Sequence, residues 1–145
     1  MLTDMRELST KVDVDSYGIV LMEIITGRKV IDNSLAQKDI LLLPIFKTYF
    51  LDKEKFKNIV DPTLELNGKN WNSLLKVAEL SYHCTAQESE QRPGMDTCVG
   101  LLSIMLDKWN PKTIGSEMGQ SSSMRLKHVV KNWETEHFID DTELG

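Results

Sequence analysis

Thr10-Lys-Val-Asp-Val-Asp-Ser-Tyr-Gly-Ile-Val-Leu-Met-Glu-Ile-Ile-Thr-Gly27 is the stretch on which the fold turns. Thr10 and Asp13 have the spacing of a capping box, with Thr10 as N-cap and Asp13 reaching back at N3. Gly27 is placed as a left-handed C′ residue ahead of Arg28 and Lys29, whose charges suit a helix C-terminus. Apolar residues at 12, 14, 17, 19, 20, 21, 22, 24 and 25 surround the helix instead of forming a stripe, the pattern of a buried helix. The β-branched content also permits a buried strand, but the length and the two end signals favour a helix.

Outward from this segment the chain reads as helices joined by polar turns. Asp39–Phe50 forms a helix with Pro44 near its first turn, where proline is tolerated. Lys53–Val60 is a short basic helix ended by Asp61-Pro62, and Asn67-Gly68 marks a turn. Asn70 can cap a helix to about Ala86, with Leu74, Leu75, Val77, Ala78 and Cys84 inward. After the polar connection Gln87–Pro93, a helix over Gly94–Trp109 turns Val99, Leu101, Leu102, Met105 and Leu106 inward. No segment alternates with period two, so the fold class is all-α. The expected organisation is a helical body at 1–109, a linker at 110–123 and a flexible tail at 124–145. That tail holds a weak amphipathic helix (Leu126, Val129, Val130, Trp133) and an acidic end.

Charge and cysteine use narrow the function. The net charge of −5 arises wholly in residues 134–145: residues 1–133 carry all 17 Lys and Arg and 17 of the 22 Asp and Glu. A neutral body of this kind does not bind nucleic acid, since nothing neutralises a run of phosphates. Cys84 and Cys98 make no disulfide framework and read as small buried hydrophobes of a reducing compartment. The apolar runs Gly18–Met22 and Ile40–Phe46 fall short of the ~20 residues of a membrane span, and no signal peptide opens the chain. The expected setting is cytoplasmic.

Catalytic signatures are sparse. The glycines form neither G-x-G-x-x-G nor G-x-x-x-x-G-K-Ser/Thr, and His83, His128 and His137 lack metal-ligand spacing. His83-Cys84 reads as helix surface and Ser121–Ser123 as linker. Lys53, Lys55 and Lys57 read as a solvated face.

Two constellations stand out: Lys11 to Lys29, and Glu90-Gln-Arg-Pro93 opening the last helix. Together they resemble the C-terminal lobe of a protein kinase, in particular plant receptor-like Ser/Thr kinases with the pattern K-x-D-V-Y-S-F-G-V-V-L-x-E-[IL]-[IL]-T-G-[RK]. Leu21–Lys29, Asp61-Pro62-Thr63, Val77–Leu80 and His83-Cys84 look like the transmembrane-kinase subfamily of leucine-rich-repeat receptor kinases. The resemblance covers residues 9–109. It implies that Asp13 accepts backbone N–H groups of a catalytic loop, that Gly18 is a structural position, and that Arg92 pairs with the Glu of an A-P-E motif. All three are positioning residues, and no residue of the chain is expected to be catalytic, cofactor-binding or metal-binding. Asp15 departs from the family's bulky residue, putting a second carboxylate into a helix meant for burial.

The chain carries no Gly-rich loop, V-A-I-K, H-R-D, D-F-G or A-P-E, and by family spacing the A-P-E Glu falls near Met1. Intact members use Mg-ATP; for this chain no cofactor and no catalysis are expected. Arg92 should therefore turn to solvent or recruit Glu88 or Glu90. Part of the Val12–Thr26 helix should lie bare, to be covered by the tail segment Leu126–Trp133 folding back, by self-association or by docking on a full-length receptor kinase, with self-association or aggregation favoured.

Overall fold

The computed structural model describes residues 2–109, 128 and 131–133. These contain helices and turns with no strand; the one β-type contact is an isolated antiparallel bridge between Ile31 and Leu41. The chain divides into two compact units, Met1–Arg92 and Pro93–Gly145. The first holds α1 (Leu2–Thr26), α2 (Leu42–Phe50), α3 (Lys53–Phe56) and α4 (Gly68–Cys84), with 3₁₀ turns at Gln37–Asp39 and Ser89–Gln91.

Helix α1 has 25 residues and begins well before the expected cap. Thr10 lies inside it, because Leu2–Ser9 is rich in good helix formers and holds neither Gly nor Pro to stop the helix. The C-terminus falls where the sequence places it. Gly27 adopts φ +66°, and its N–H donates to the Glu23 carbonyl at 2.8 Å. Thr26 is buried and its hydroxyl donates to the Met22 carbonyl at 2.8 Å. A Cβ on Gly27 would lie 2.6 Å from Asp61 Oδ2, and Asp61 N–H donates to the Ile25 carbonyl at 2.9 Å. The Asp61-Pro62 turn thus seals the end of α1.

The other boundaries shift for local reasons. Helix α2 starts at Leu42, so Pro44 sits in its first turn. Asp52 caps α3 by accepting from the N–H groups of Glu54 and Lys55, and the helix gives way to turns before Val60. Asn67, not Asn70, caps α4, its Oδ1 accepting from Lys69 and Asn70 N–H at 3.1 and 3.0 Å.

Met22 and Ile25 of α1 meet Leu42, Phe46, Phe56, Ile59, Val60 and Ala78 in one buried cluster. Phe56 stands edge-on to Phe46 at 5.5 Å and to Phe50 at 5.7 Å, the geometry that ring quadrupoles favour. Burial of α1 is one-sided, contrary to the all-round burial its composition suggests. Val14, Leu21, Met22 and Ile25 are buried, whereas Val12, Val20 and Ile24 stand 53%, 49% and 64% exposed. Within this unit α2, α4, the Ser89–Gln91 turn and the 56–61 segment pack on α1 and leave these residues uncovered.

In the second unit, α5 (Met95–Trp109) buries Thr97, Cys98 and Leu101, while Val99 and Leu106 are exposed, so two of the five expected inward residues face out. His128 and residues 131–133 are helical and Trp133 is buried. The linker and the rest of the tail lie outside the described residues. Both cysteines are buried, as expected.

The tightest contact joins α1 to α4 at Gly18. A Cβ there would sit 2.6 Å from Cys84 Cβ, 2.8 Å from Thr85 Cγ2 and 3.1 Å from the Ser81 carbonyl. Gly68, by contrast, has open space around it. Gly18→Ala should therefore cost about 2–4 kcal/mol by forcing the helices apart, and Gly68→Ala should lie within about 1 kcal/mol of the parent. Urea denaturation of both variants checks this, and equal small losses would show that the helices separate freely at Gly18.

Candidate functional site

The polar side chains that converge in the first unit gather where α4 ends. Lys47 and Arg92 bond the carbonyls that follow its last turn, and Lys11 joins them through the Arg92 carbonyl. Lys47, on α2, donates from Nζ to the Thr85 carbonyl at 2.7 Å. Arg92 donates from Nε to the Ala86 carbonyl at 2.8 Å and from Nη1 to the Lys11 carbonyl at 3.2 Å. Lys11 returns the contact, its Nζ donating to the Arg92 carbonyl. The partial negative charge of a helix C-terminus is the natural counterpart of such a cluster.

Asp15 lies within electrostatic reach of this group, half-buried on α1. Burial pushes the Lys47 amine below its ordinary value of 10.5; the Asp15 carboxylate acts upward on it and Arg92 acts downward. The Asp15 carboxylate thus acts on a lysine through space.

Arg92 is half-buried and meets no carboxylate within 4 Å among the described residues. It neither turns to solvent nor recruits Glu88 or Glu90, both of which are exposed. Backbone carbonyls satisfy it, because the α4 end and the α1 turn at Lys11 lie within reach of one planar fork. Asp13 is exposed on α1 and accepts no hydrogen bond from any described residue. The structure therefore brings Arg92 and Gly18 to the same α1–α4 junction and leaves Asp13 on the outside. Lys11 and Lys47 were missed by sequence reasoning. Their contacts span 81 and 38 residues, and no local pattern signals them.

The remaining groups are modest. Lys55 pairs with Asp52 at 3.4 Å on the surface, and Lys57 lies 5.6 Å above the Trp71 ring. Asp61, beside an open groove walled by Leu64, Leu66 and Trp71, accepts from Thr63 N–H and Oγ1, which hold its carboxyl below the usual carboxylate range. His83 is half-buried and edge-on to Tyr82 at 5.7 Å. No group of three or more His, Cys, Asp or Glu among the described residues has metal-holding geometry. No helix among them is long and apolar enough to cross a membrane.

The junction can hold helices in register; it offers no nucleophile–base pair. Arg92→Ala should cost about 2–3 kcal/mol, because two charge-assisted hydrogen bonds are lost. Arg92→Lys should recover less than half, since an ammonium cannot span both carbonyls. Chemical denaturation measures both, and a loss under about 0.5 kcal/mol would mean that water replaces the guanidinium without cost.

A second expectation concerns Lys47. Its folded value lies below its unfolded one, so the unfolded chain binds more protons in the alkaline window just under 10.5, and stability contributed by this group rises with pH there. Asp15→Asn removes the upward influence and should push the amine lower still. An NMR titration of the Lys47 Nζ resonance reads the shift, and an unchanged midpoint would show that Asp15 does not reach it.

No protein-family profile matches the chain. Individual relatives do. The receptor protein kinase WSS1 of Oryza sativa subsp. japonica is 48% identical over 140 residues, 94% of this chain and 15% of that protein. The receptor-like kinase TMK4 of Arabidopsis thaliana is 39% identical over 131 residues, 89% of this chain and 14% of its own length. The probable serine/threonine-protein kinase PBL5 of Arabidopsis thaliana is 31% identical over 139 residues, 90% of this chain and 33% of that protein. The chain thus spans about one seventh of the first two relatives.

Proposed function

This chain matches a fragment of a plant receptor-like kinase, and on that premise we propose that it forms the helical platform of a kinase C-terminal lobe without transferring phosphate itself. The observation that carries this is the pairing of two features. The Lys11–Lys29 motif folds as the pillar α1, with Gly18 and Arg92 locking it to the end of α4. Meanwhile the chain's sequence holds none of the motifs that cradle phosphates, bind Mg²⁺ or place a catalytic base. Asp13, exposed at the middle of α1, is the position that a catalytic loop would engage in an intact kinase, and Arg92 the position that would take an acidic partner. In whole proteins of this kind the activity is ATP-dependent phosphorylation of Ser or Thr, on the cytoplasmic side of the plasma membrane. Residues 1–109 are assigned to the kinase lobe, 110–123 to a linker and 124–145 to an acidic tail.

A second reading, a non-catalytic module that docks on another protein such as a full-length receptor kinase, is favoured by the exposed apolar residues of α1. Under both readings the full chain should show no saturable Mg·ATP binding by calorimetry up to about 1 mM, roughly the upper end of ordinary substrate KM values. It should also transfer no labelled γ-phosphate to a protein substrate. Saturable binding that a substitution within this chain abolishes would overturn the proposal.

A further inference from the structure

Of the seven asparagines in the chain, Asn67 alone is followed by glycine. The pair opens α4, where Asn67 is the N-cap and its Oδ1 accepts from the N–H groups of Lys69 and Asn70. Both residues are exposed, and a Cβ on Gly68 would meet nothing within 4 Å. Among the described residues no acceptor takes the Gly68 N–H, which is the first donor of the helix and has no intrahelical partner. Asparagine is a thermolabile side chain. Its internal route of loss is attack by the next backbone nitrogen on the side-chain amide carbon. A following glycine leaves that nitrogen unshielded and its backbone free to turn.

We propose that Asn67-Gly68 is a self-modification site that converts the cap of α4 from an amide to an acid. The Gly68 nitrogen bonds to Asn67 Cγ and gives up its proton. The Cγ–Nδ2 bond breaks, and ammonia leaves carrying that proton. The product is a five-membered succinimide, which water opens. Water at Cγ breaks the new bond and leaves an ordinary aspartate at position 67. Water at the main-chain carbonyl carbon breaks the original peptide bond and leaves an isoaspartate, with the chain running through Cγ. Water is the one co-reactant, and nothing is oxidised or reduced.

The cap sets the pace. Asn67 is extended, at φ −101° and ψ 179°, and its side-chain oxygen is committed to two N–H groups ahead of it. In the ring, Cβ and the Gly68 nitrogen lie nearly eclipsed about the Cα–C bond; at this ψ they stand apart. Closure therefore follows rotation at Asn67 and opening of the first turn of α4, at an end where helices fray. An asparagine cap is worth about a fivefold equilibrium, so the folded chain should convert about five times more slowly than the unfolded one.

The two products act differently on the fold. Aspartate keeps an oxygen for the Lys69 and Asn70 N–H groups and adds negative charge where a helix N-terminus favours it. Isoaspartate commits Cγ to the main chain and lengthens it by a methylene. The capping oxygen is then lost, together with the Asn67 carbonyl position to which Trp71 N–H donates at 2.8 Å. Either product also places a carboxylate on the groove wall that Asn67 shares with Lys57 and Trp71. The reaction is one-way, so it marks the age of the folded chain at the start of α4.

The full chain is aged at neutral and at mildly alkaline pH, then digested with trypsin under mildly acidic conditions that stop further reaction. Mass spectrometry should show the amide-to-acid gain at Asn67, in the peptide 58–69, before any gain at Asn33 or Asn72. The gain should be faster at the higher pH, because the attacking nitrogen must lose its proton. Labelling by isoaspartyl methyltransferase should report the isoaspartyl share. Gly68→Ala, for which there is open space, should slow conversion at least about threefold through lost backbone freedom alone, with circular dichroism confirming that the helices remain. Three results overturn the proposal: no gain at Asn67 in the folded chain while the chain in guanidinium chloride converts, earlier conversion of Asn33, or an equal rate in Gly68→Ala. Conversion as fast in the folded as in the unfolded chain overturns the gating by the cap.

Discussion

The absence of one methyl group at Gly18 sets the geometry of the first unit. Because α1 can approach within contact of Cys84, Thr85 and the Ser81 carbonyl, the C-terminus of α4 lies against the middle of α1 instead of one side-chain layer away. Ser81, Cys84 and Thr85 are buried by that approach. The carbonyls of Thr85 and Ala86 are thereby carried to where Lys47 and Arg92 can reach them. Interiors are packed too densely for such a contact to open by a few tenths of an ångström without repacking its neighbours. Register between the two longest helices of this unit and the polar junction beside them are therefore one constraint.

The junction shows how a cluster of cations is held with little acid nearby. Three positive groups share a region with one carboxylate in reach, Asp15. They meet the carbonyls of Thr85 and Ala86 past the end of α4, of Lys11 within α1 and of Arg92 itself. Carbonyls at a helix end carry partial negative charge and lack intrahelical donors, so Lys47 and the Arg92 Nε satisfy groups that otherwise turn to water. Arg92 bridges two segments that are distant in sequence, and it does so through main chain that any sequence would supply. This makes it a structural tie in this chain. Its planar fork of donors lets one side chain span both carbonyls.

Helix α1 has two apolar sides with different fates. One side enters the core with Phe46, Phe56 and Ala78, where the ring cluster and the Asp61-Pro62 turn fix its end. The other carries Val12, Val20 and Ile24 to the surface. Exposed apolar residues are normal on a protein surface.

Much of this was legible in the sequence. The all-α class and the end of α1 at Gly27 followed from residue types and spacing, because turn glycines and caps act locally, and the Lys11–Lys29 stretch carried the resemblance to a kinase lobe. Composition marks α1 as apolar all round, but burial depends on how many neighbours exist to cover it, and that is a property of the whole assembly of helices. The start of α1 was misplaced because a capping box is only an option when the preceding residues are themselves good helix formers. Asn67 displaced Asn70 as a cap for an equally local reason, since its side chain meets two free N–H groups. The junction of Lys11, Lys47, Asp15 and Arg92 could not have been read from the sequence. Its contacts join residues tens of positions apart through backbone carbonyls, which every residue possesses, so only the folded chain decides which carbonyls meet which cations.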